Sequence, residues 1–433
     1  MQALTGFRDF FPEACAQRNR VFRSWRQTAA LHGFVEYDGP PLESLELFTR
    51  KSGPEIVKQL YSFTDKGERE VAFRAEMTPT FARMVGARHR DFKKPIKWFA
   101  IPQLMRYERP QKGRLREHFQ FNADLVGFGT PAEDAELIGL LVAILRDLGL
   151  KPCDFRVRLS SRGLWHAALD AIGVPTAAHA GVFDVVDKLE RVEAAESDKR
   201  FAALGLDGQQ VAKVRAVSAA TGVGAAEEAV GGLGEAGRWV EQVVRSLSDL
   251  GAGDCVAVDL GIVRGLAYYT GVVFEAFALD TAGRPEGRAI AGGGRYDDLL
   301  KNLVGVALPA VGFGMGDVVL GQLLESKGLG GLGQRAPKVF VTWPAEEFRG
   351  PGLGLVRKLR DAGFATEYAL RPLGLGKQLE AAEHAGAIFA VIVGDGFHAG
   401  QVDVKWLADR RQERIPLEQI ETILRDPADR ASG

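Results

Sequence analysis

Phe119-Gln-Phe-Asn-Ala-Asp-Leu125 is the stretch that decides how this chain is read. Successive side chains of a strand leave on opposite faces, so Phe121, Ala123 and Leu125 share one face and Gln120, Asn122 and Asp124 the other. The first face belongs in a core. The second carries two amides and a carboxylate in register, and such groups are covered only where something polar pairs with them. A bound polar ligand meets that requirement. Upstream, the segment ending Met105-Arg-Tyr-Glu108 alternates in the same way and puts Arg106 and Glu108 on one face. Between the two lies Arg109-Pro-Gln-Lys-Gly-Arg-Leu-Arg-Glu-His118, four cations against one carboxylate. Guanidinium groups meet phosphate oxygens two at a time, so this loop suits a polyphosphate.

Working outward, Phe73-Arg-Ala-Glu-Met-Thr-Pro79 reads as the end of a strand, where Glu76 and Thr78 offer a carboxylate and a hydroxyl to an ammonium group. Leu260 to Gly271 sets Arg264, a second candidate phosphate ligand, ahead of Tyr268 and Tyr269 and then enters a strand from Val272 to Phe277. Ala291-Gly-Gly-Gly-Arg-Tyr-Asp297 reads as a glycine turn that lets backbone approach a substrate, with Tyr296 beside it. Taken singly, each of these also fits an ordinary turn or a core tyrosine with a satisfied hydroxyl. Gly374-Leu-Gly-Lys377 lacks the spacing of a P-loop, Gly312-Phe-Gly-Met-Gly316 is not a dinucleotide fingerprint, and neither a GxSxG elbow nor an HExxH helix occurs.

Composition frames these motifs. Glycine supplies 52 of the 433 residues, well above the usual share of about 7%, as expected where backbone turns sharply or nears a ligand. A net charge of -1 excludes binding of nucleic acid by bulk charge and leaves only local basic patches for it. The first residues lack the apolar stretch of a signal peptide, and no apolar run is long enough for a membrane span, so a cytoplasmic protein is expected. Cys15, Cys153 and Cys255 stand far apart, which argues against structural zinc or a disulfide framework and for core thiols.

The chain divides at its glycines. Residues 326–337 form a flexible linker, and 338–433 alternate strands with helices, as a small α/β domain with a largely parallel sheet does. Residues 174–250, rich in Ala, Gly, Glu and Lys at helical spacing, read as a helical insertion. The flanks, within residues 1–325, form one α+β domain built on a mostly antiparallel sheet.

In order, these segments resemble the histidyl-tRNA synthetases, a class II aminoacyl-tRNA synthetase family, over nearly the whole chain. Gly33-Phe-Val-Glu-Tyr-Asp-Gly-Pro-Pro-Leu-Glu43 is similar to the first class motif, a dimer-interface element. Arg106 to Gly127 is similar to the second, and the Arg264 segment and the Gly-Gly-Gly-Arg-Tyr-Asp stretch to two signatures peculiar to histidine-specific members. The region after Pro337 resembles the family's anticodon-binding domain. The resemblance implies activation of histidine by ATP with Mg²⁺, transfer to tRNA(His), and a homodimer. It further implies that Arg106 and Arg264 flank the α-phosphate, where fixed cations stabilise the transition state most. Arg114 takes the outer phosphates, Glu108 faces the adenine or orders the site, and His118 stands where the family has an aromatic that stacks on adenine. Glu76, Thr78, Gln120 and Asp124 receive the histidine ammonium, with Tyr269 and Tyr296 near its imidazole. Gln111 and Arg116 are candidates for the tRNA acceptor end.

The third class motif departs from the pattern. Val311-Gly-Phe-Gly-Met-Gly-Asp-Val-Val-Leu320 carries Val319 where an arginine over ATP is expected, and Ala267 replaces an acidic residue before the tyrosine pair. A valine cannot pair with phosphate. The departure leaves open a synthetase-like regulatory subunit of histidine biosynthesis, or a silent histidine sensor, although such regulatory relatives typically lack the anticodon-binding domain.

Overall fold

In the computed structural model, which describes residues 2–52, 54–189, 192–263, 269–330 and 338–425, the alternating stretch lies inside a ten-residue strand within a nine-stranded sheet. Numbered along the chain, the strands are β1 (Val35–Glu36), β2 (Ile96–Ala100), β3 (Gln103–Met105), β4 (Glu117–Val126), β5 (Phe155–Ser161), β6 (Val256–Val258), β7 (Val272–Leu279), β8 (Pro285–Arg295) and β9 (Ala310–Gly316). They lie in the order β1-β2-β4-β9-β8-β7-β5-β6, with β3 also on β4. The end pairs β1–β2 and β5–β6 are parallel and the other pairs are antiparallel, so the mostly antiparallel α+β domain is as expected.

Phe121, Ala123 and Leu125 are buried with Trp25 and Leu141 of the helices Pro12–Leu31 and Pro131–Asp147. Phe121 meets Phe99 and Phe313 at ring separations of 5.5 and 5.6 Å. Phe313 also meets Phe274 at 6.3 Å across the intervening strand β8. That last contact is possible because Gly293 lies opposite both phenylalanines, and a Cβ there would overlap Gly312 O and crowd Phe313. Such ring pairs contribute roughly 0.5–1.5 kcal/mol each beyond burial. The covering helix Pro131–Asp147 is started by a proline in its first turn and a reciprocal Thr130–Glu133 cap.

Residues 174–250 contain the helices Thr176–Val186, Ala194–Ala203, Gly208–Ser218, Val223–Val230 and Gly234–Asp249, and no strand among the described residues. Val182, Phe201, Val214 and Val240 join the same core as the sheet, and Trp239 Nε1 donates to Asp134 Oδ2 at 2.7 Å. These helices extend the core rather than build one of their own.

The chain forms two compact units, Met1–Gly331 and Leu332–Gly433. In the second, β10 (Lys338–Thr342), β11 (Ala365–Tyr368), β12 (Phe389–Ile392), β13 (Gln401–Trp406) and β14 (Gln412–Pro416) lie in the order β11-β10-β12-β13-β14. The first three are parallel and the last two antiparallel. Val339, Leu355, Phe389 and Val404 centre a separate core.

Several local expectations are corrected. Ala291 to Gly294 is not a turn but the interior of β8, paired on both sides. Arg106 and Glu108 lie beyond the end of β3, although Arg106 N still donates to Arg116 O at 2.9 Å. A strand ends at Phe73, so Glu76 lies in the following loop and Thr78 opens the helix Thr78–Arg88. Of the cysteines, Cys255 alone is buried, Cys15 is half-buried and Cys153 exposed.

Candidate active site

The polar face of the sheet opens into two cavities, of about 760 and 110 Å³. Arg106, Gln120, Gly292 and Gly314 line both, so the two are contiguous. The small cavity gathers Glu76, Thr78, Asn122, Asp124, Tyr269 and Tyr296. The large one is walled by Glu108, Arg114, His118, Glu275, Arg288 and Val319, among others.

Strand glycines make this space. Gly312 and Gly314 lie opposite Asp124 and Asn122. A Cβ on Gly312 would overlap Asp124 Oδ1, and one on Gly314 would sit 2.6 Å from Gln120 Nε2. Without those methyl groups the polar side chains of β4 can lie across the neighbouring strand, which is the usual meaning of glycine inside a strand.

In the small cavity Tyr296 donates its hydroxyl proton to Asp124 Oδ1, with both residues buried. The Tyr269 and Tyr296 rings lie 6.5 Å apart, and Asn122 Nδ2 donates to Gln120 O at 3.1 Å. The result is a narrow chamber with carboxylates at Glu76 and Asp124 and aromatic walls, suited to a small molecule bearing an ammonium group and a polar ring.

The large cavity is cationic. Arg106 donates Nε to Ala75 O at 2.9 Å, which fixes its guanidinium at the junction. Arg114 is ion-paired with Glu108, so a phosphate arriving there competes with a carboxylate. Arg116 donates Nε to Glu108 O at 3.1 Å and lies over the Tyr107 ring. Gln111 accepts from Arg288 through its side chain. Arg264, Ala267 and Tyr268 fall outside the described residues.

Burial, and the charges of Arg106, Arg8 and Arg114, push the His118 imidazole down to about 3. It is therefore neutral at physiological pH. Between that value and its ordinary 6.5 the unfolded chain binds a proton that the folded chain refuses, so His118 makes stability rise with pH over that interval. In His118→Phe, the fall in melting temperature from pH 7 to pH 5 is expected to be smaller than in the parent. An aromatic stacked on a base is worth about 1–3 kcal/mol, so the adenine role that the resemblance implies for His118 predicts weaker ATP binding by His118→Ala and retained binding by His118→Phe. An unchanged pH response, or equal nucleotide binding by all three, would contradict this role.

A family model described as histidyl-tRNA synthetase matches residues 6–316, and one described as anticodon binding domain matches residues 338–426. The chain belongs to the histidyl-tRNA synthetase family. It is 46% identical to the histidine–tRNA ligase of Opitutus terrae over 98% of both chains. It is 36% identical to the chloroplastic/mitochondrial histidine–tRNA ligase of Arabidopsis thaliana, over 96% of this chain and 85% of that one. In fold it is similar to the Nostoc histidyl-tRNA synthetase, with a TM-score of 0.83, 22% identity and 98% of both chains covered. It also shares the fold of a Bacillus halodurans protein described as ATP phosphoribosyltransferase regulatory subunit/histidyl-tRNA synthetase, with a TM-score of 0.73, 23% identity, and 91% and 98% covered.

For a histidyl-tRNA synthetase, the sequence reading overlooked four charged residues on the large cavity: Arg158, Glu275, Arg288 and Asp187. Strand register could have found the first two. Glu275 pairs with Gly292 and with Arg158, in the same cross-strand row as Asn122 and Gly314.

Proposed function

We propose that this chain is a histidine–tRNA ligase that activates histidine with ATP and transfers it to tRNA(His). The observation that carries the reading is the meeting of the two cavities at Arg106 and Gln120. Histidine occupies the small cavity, its ammonium toward Glu76, Thr78, Gln120 and Asp124 and its ring near Tyr269 and Tyr296. ATP occupies the large one, its adenine against His118. The substrate carboxylate then reaches the α-phosphorus at the junction.

In the first step a carboxylate oxygen of histidine bonds to the α-phosphorus, and the bond from that phosphorus to the bridging oxygen breaks. The electron pair leaves on pyrophosphate. Negative charge accumulates on the α-phosphoryl oxygens, where Arg106, with Arg264, stabilises it more than in the ground state. Arg114 exchanges Glu108 for the outer phosphates. In the second step a hydroxyl oxygen of the terminal tRNA ribose bonds to the histidyl carbonyl carbon, the bond from that carbon to the phosphate oxygen breaks, AMP leaves with the electron pair, and the hydroxyl proton passes to solvent.

Mg²⁺ bound to the triphosphate would supply charge neutralisation, and Glu275 is the carboxylate on the cavity wall that could help hold it. The basic loop, with exposed Gln111 and half-buried Arg116, faces the tRNA acceptor end in this reading, and the second unit binds the anticodon. A homodimer rests on the first-motif resemblance and is supported by Leu31 and Val35, apolar side chains left 87% and 63% exposed. No described helix is long and apolar enough by itself to cross a membrane; work in the cytoplasm rests on the resemblance to tRNA ligases. The regulatory-subunit alternative has less support, because the anticodon-binding match and both Arg106 and Arg114 are present.

The test is charging of a tRNA(His) transcript with labelled histidine. Acid-precipitable histidine should accumulate only with ATP and that tRNA. Formation of histidyl-adenylate without any transfer would contradict the second step.

A further inference from the structure

We infer that Arg288 supplies the nucleotide-binding guanidinium that the third class motif lacks at Val319. The inference rests on the large cavity being the nucleotide site. Val319 sits in the first turn of the helix Asp317–Ser326 and borders that cavity, as Arg288 of β8 does. Both side chains converge on the basic loop at one point: a Cβ built on Gly113 would lie 3.2 Å from Arg288 Cδ and 3.4 Å from Val319 Cγ2. A cation missing from the helix is thus replaced from the adjoining strand, at the same stretch of wall.

The backbone explains how Arg288 comes to be there. The β7–β8 register shifts between Ala276 and Ala278, and nearby Gly287 has φ of 70°, the left-handed region that glycine adopts without strain. A bulge of this kind bends a strand and re-aims the side chains beside it. Arg288 Nη2 then donates to Gln111 Oε1 at 2.9 Å and its Nε to Lys112 O at 3.3 Å, which ties the basic loop to the sheet.

Charge accounting separates Arg288 from its neighbours. Arg114 is paired with Glu108 and Arg158 with Asp259. Among the described residues the acceptors of Arg288 are neutral, so its charge stays available to an anion. Arg106 holds the junction with the histidine chamber, while Arg288 stands on the part of the wall bordered by Val319 and the loop. A triphosphate spanning the cavity would meet one guanidinium at each place, and a planar guanidinium can bond phosphate oxygens while also lying over a base.

The experiment measures Mg-ATP binding to the full-length chain by titration calorimetry, together with the KM values for ATP and histidine in pyrophosphate exchange. Arg288→Gln keeps an amide at about the position of Nε, next to Lys112 O, but loses the charge and the bond from Nη2 to Gln111. It should weaken ATP binding about tenfold or more and raise the KM for ATP, with the KM for histidine unchanged. Arg288→Lys should recover part of the loss. Adding Val319→Arg to the Arg288→Gln chain should recover more, because it returns a guanidinium to the same wall. Parent-like ATP binding by Arg288→Gln would reduce Arg288 to a tether for the loop and overturn the inference, as would equal rises in both KM values. A parent chain that binds ATP without histidine-dependent exchange would refute the ligase reading alone, and Arg288 would still be judged by the binding data. A parent that binds no ATP would refute both.

Discussion

Arg106→Ala is expected to lower the rate of histidyl-adenylate formation by about 10²–10³-fold, with much smaller changes in the KM values for histidine and ATP. Arg106 belongs to both cavities, and its Nε is held by Ala75 O, so its remaining N–H groups are fixed before substrate arrives. A pre-oriented cation at the point of attack acts where charge develops, which is why the loss belongs in kcat rather than in ground-state binding. Arg106→Lys keeps the charge but gives up the planar fork and the anchored Nε, and should recover only part of the rate. Single-turnover adenylate formation, followed with labelled ATP, separates the possibilities. A rise in the KM for ATP with kcat intact would make Arg106 a binding residue only.

Asp124 carries the second large effect, and it falls on histidine. Its carboxylate is buried, accepts the Tyr296 hydroxyl, and lies over Gly312, where a methyl group would displace it. Asp124→Ala removes a charged acceptor and breaks the buried Tyr296 hydrogen bond, which costs about 1–3 kcal/mol of stability. Asp124→Asn keeps an acceptor for Tyr296 and loses only the charge, so it isolates the binding contribution. A site built on hydrogen bonds to its substrate suffers heavily when one is left unmade, and the KM for histidine in Asp124→Asn should rise about 100-fold. The KM for ATP should move little. Equal histidine affinity in the parent and Asp124→Asn would remove Asp124 from the ammonium site.

How much was legible in the sequence follows from the kind of signal each residue emits. Phe121, Ala123 and Leu125 alternate with Gln120, Asn122 and Asp124 inside one strand, so the core face and the site face of β4 could be read locally. Gly292 to Gly294 emit no such signal, since a residue without a side chain belongs to neither face. At Gly293 and Gly294 only the neighbours across the sheet, Gly312 O and Phe313 for the first and Val272 O and Val273 for the second, explain why nothing larger fits. Arg288 was overlooked because its direction depends on a register shift between β7 and β8, a long-range property of the sheet. The pairing of Arg114 with Glu108 likewise depends on how an irregular loop closes. In the second unit Phe389–Ile392 lies within a continuous apolar run, the pattern of a strand buried on both faces. The strands Gln401–Trp406 and Gln412–Pro416 carry no such run, because their buried positions, Val402, Val404 and Ile415, alternate with charged and polar neighbours. Motifs recognised as similar to a family were the strongest guide, and they extended to the departure at Val319.

The measurement that bears most directly on the account is ATP–pyrophosphate exchange by the purified chain with Mg²⁺ and no tRNA, run with each amino acid in turn. Exchange that depends on histidine and on no other amino acid is the predicted result, since it requires both cavities to be filled and joined at Arg106. Absence of exchange, with histidine still raising the melting temperature, would mean that the small cavity binds its ligand without chemistry in the large one, and would contradict the assignment of this chain as a ligase.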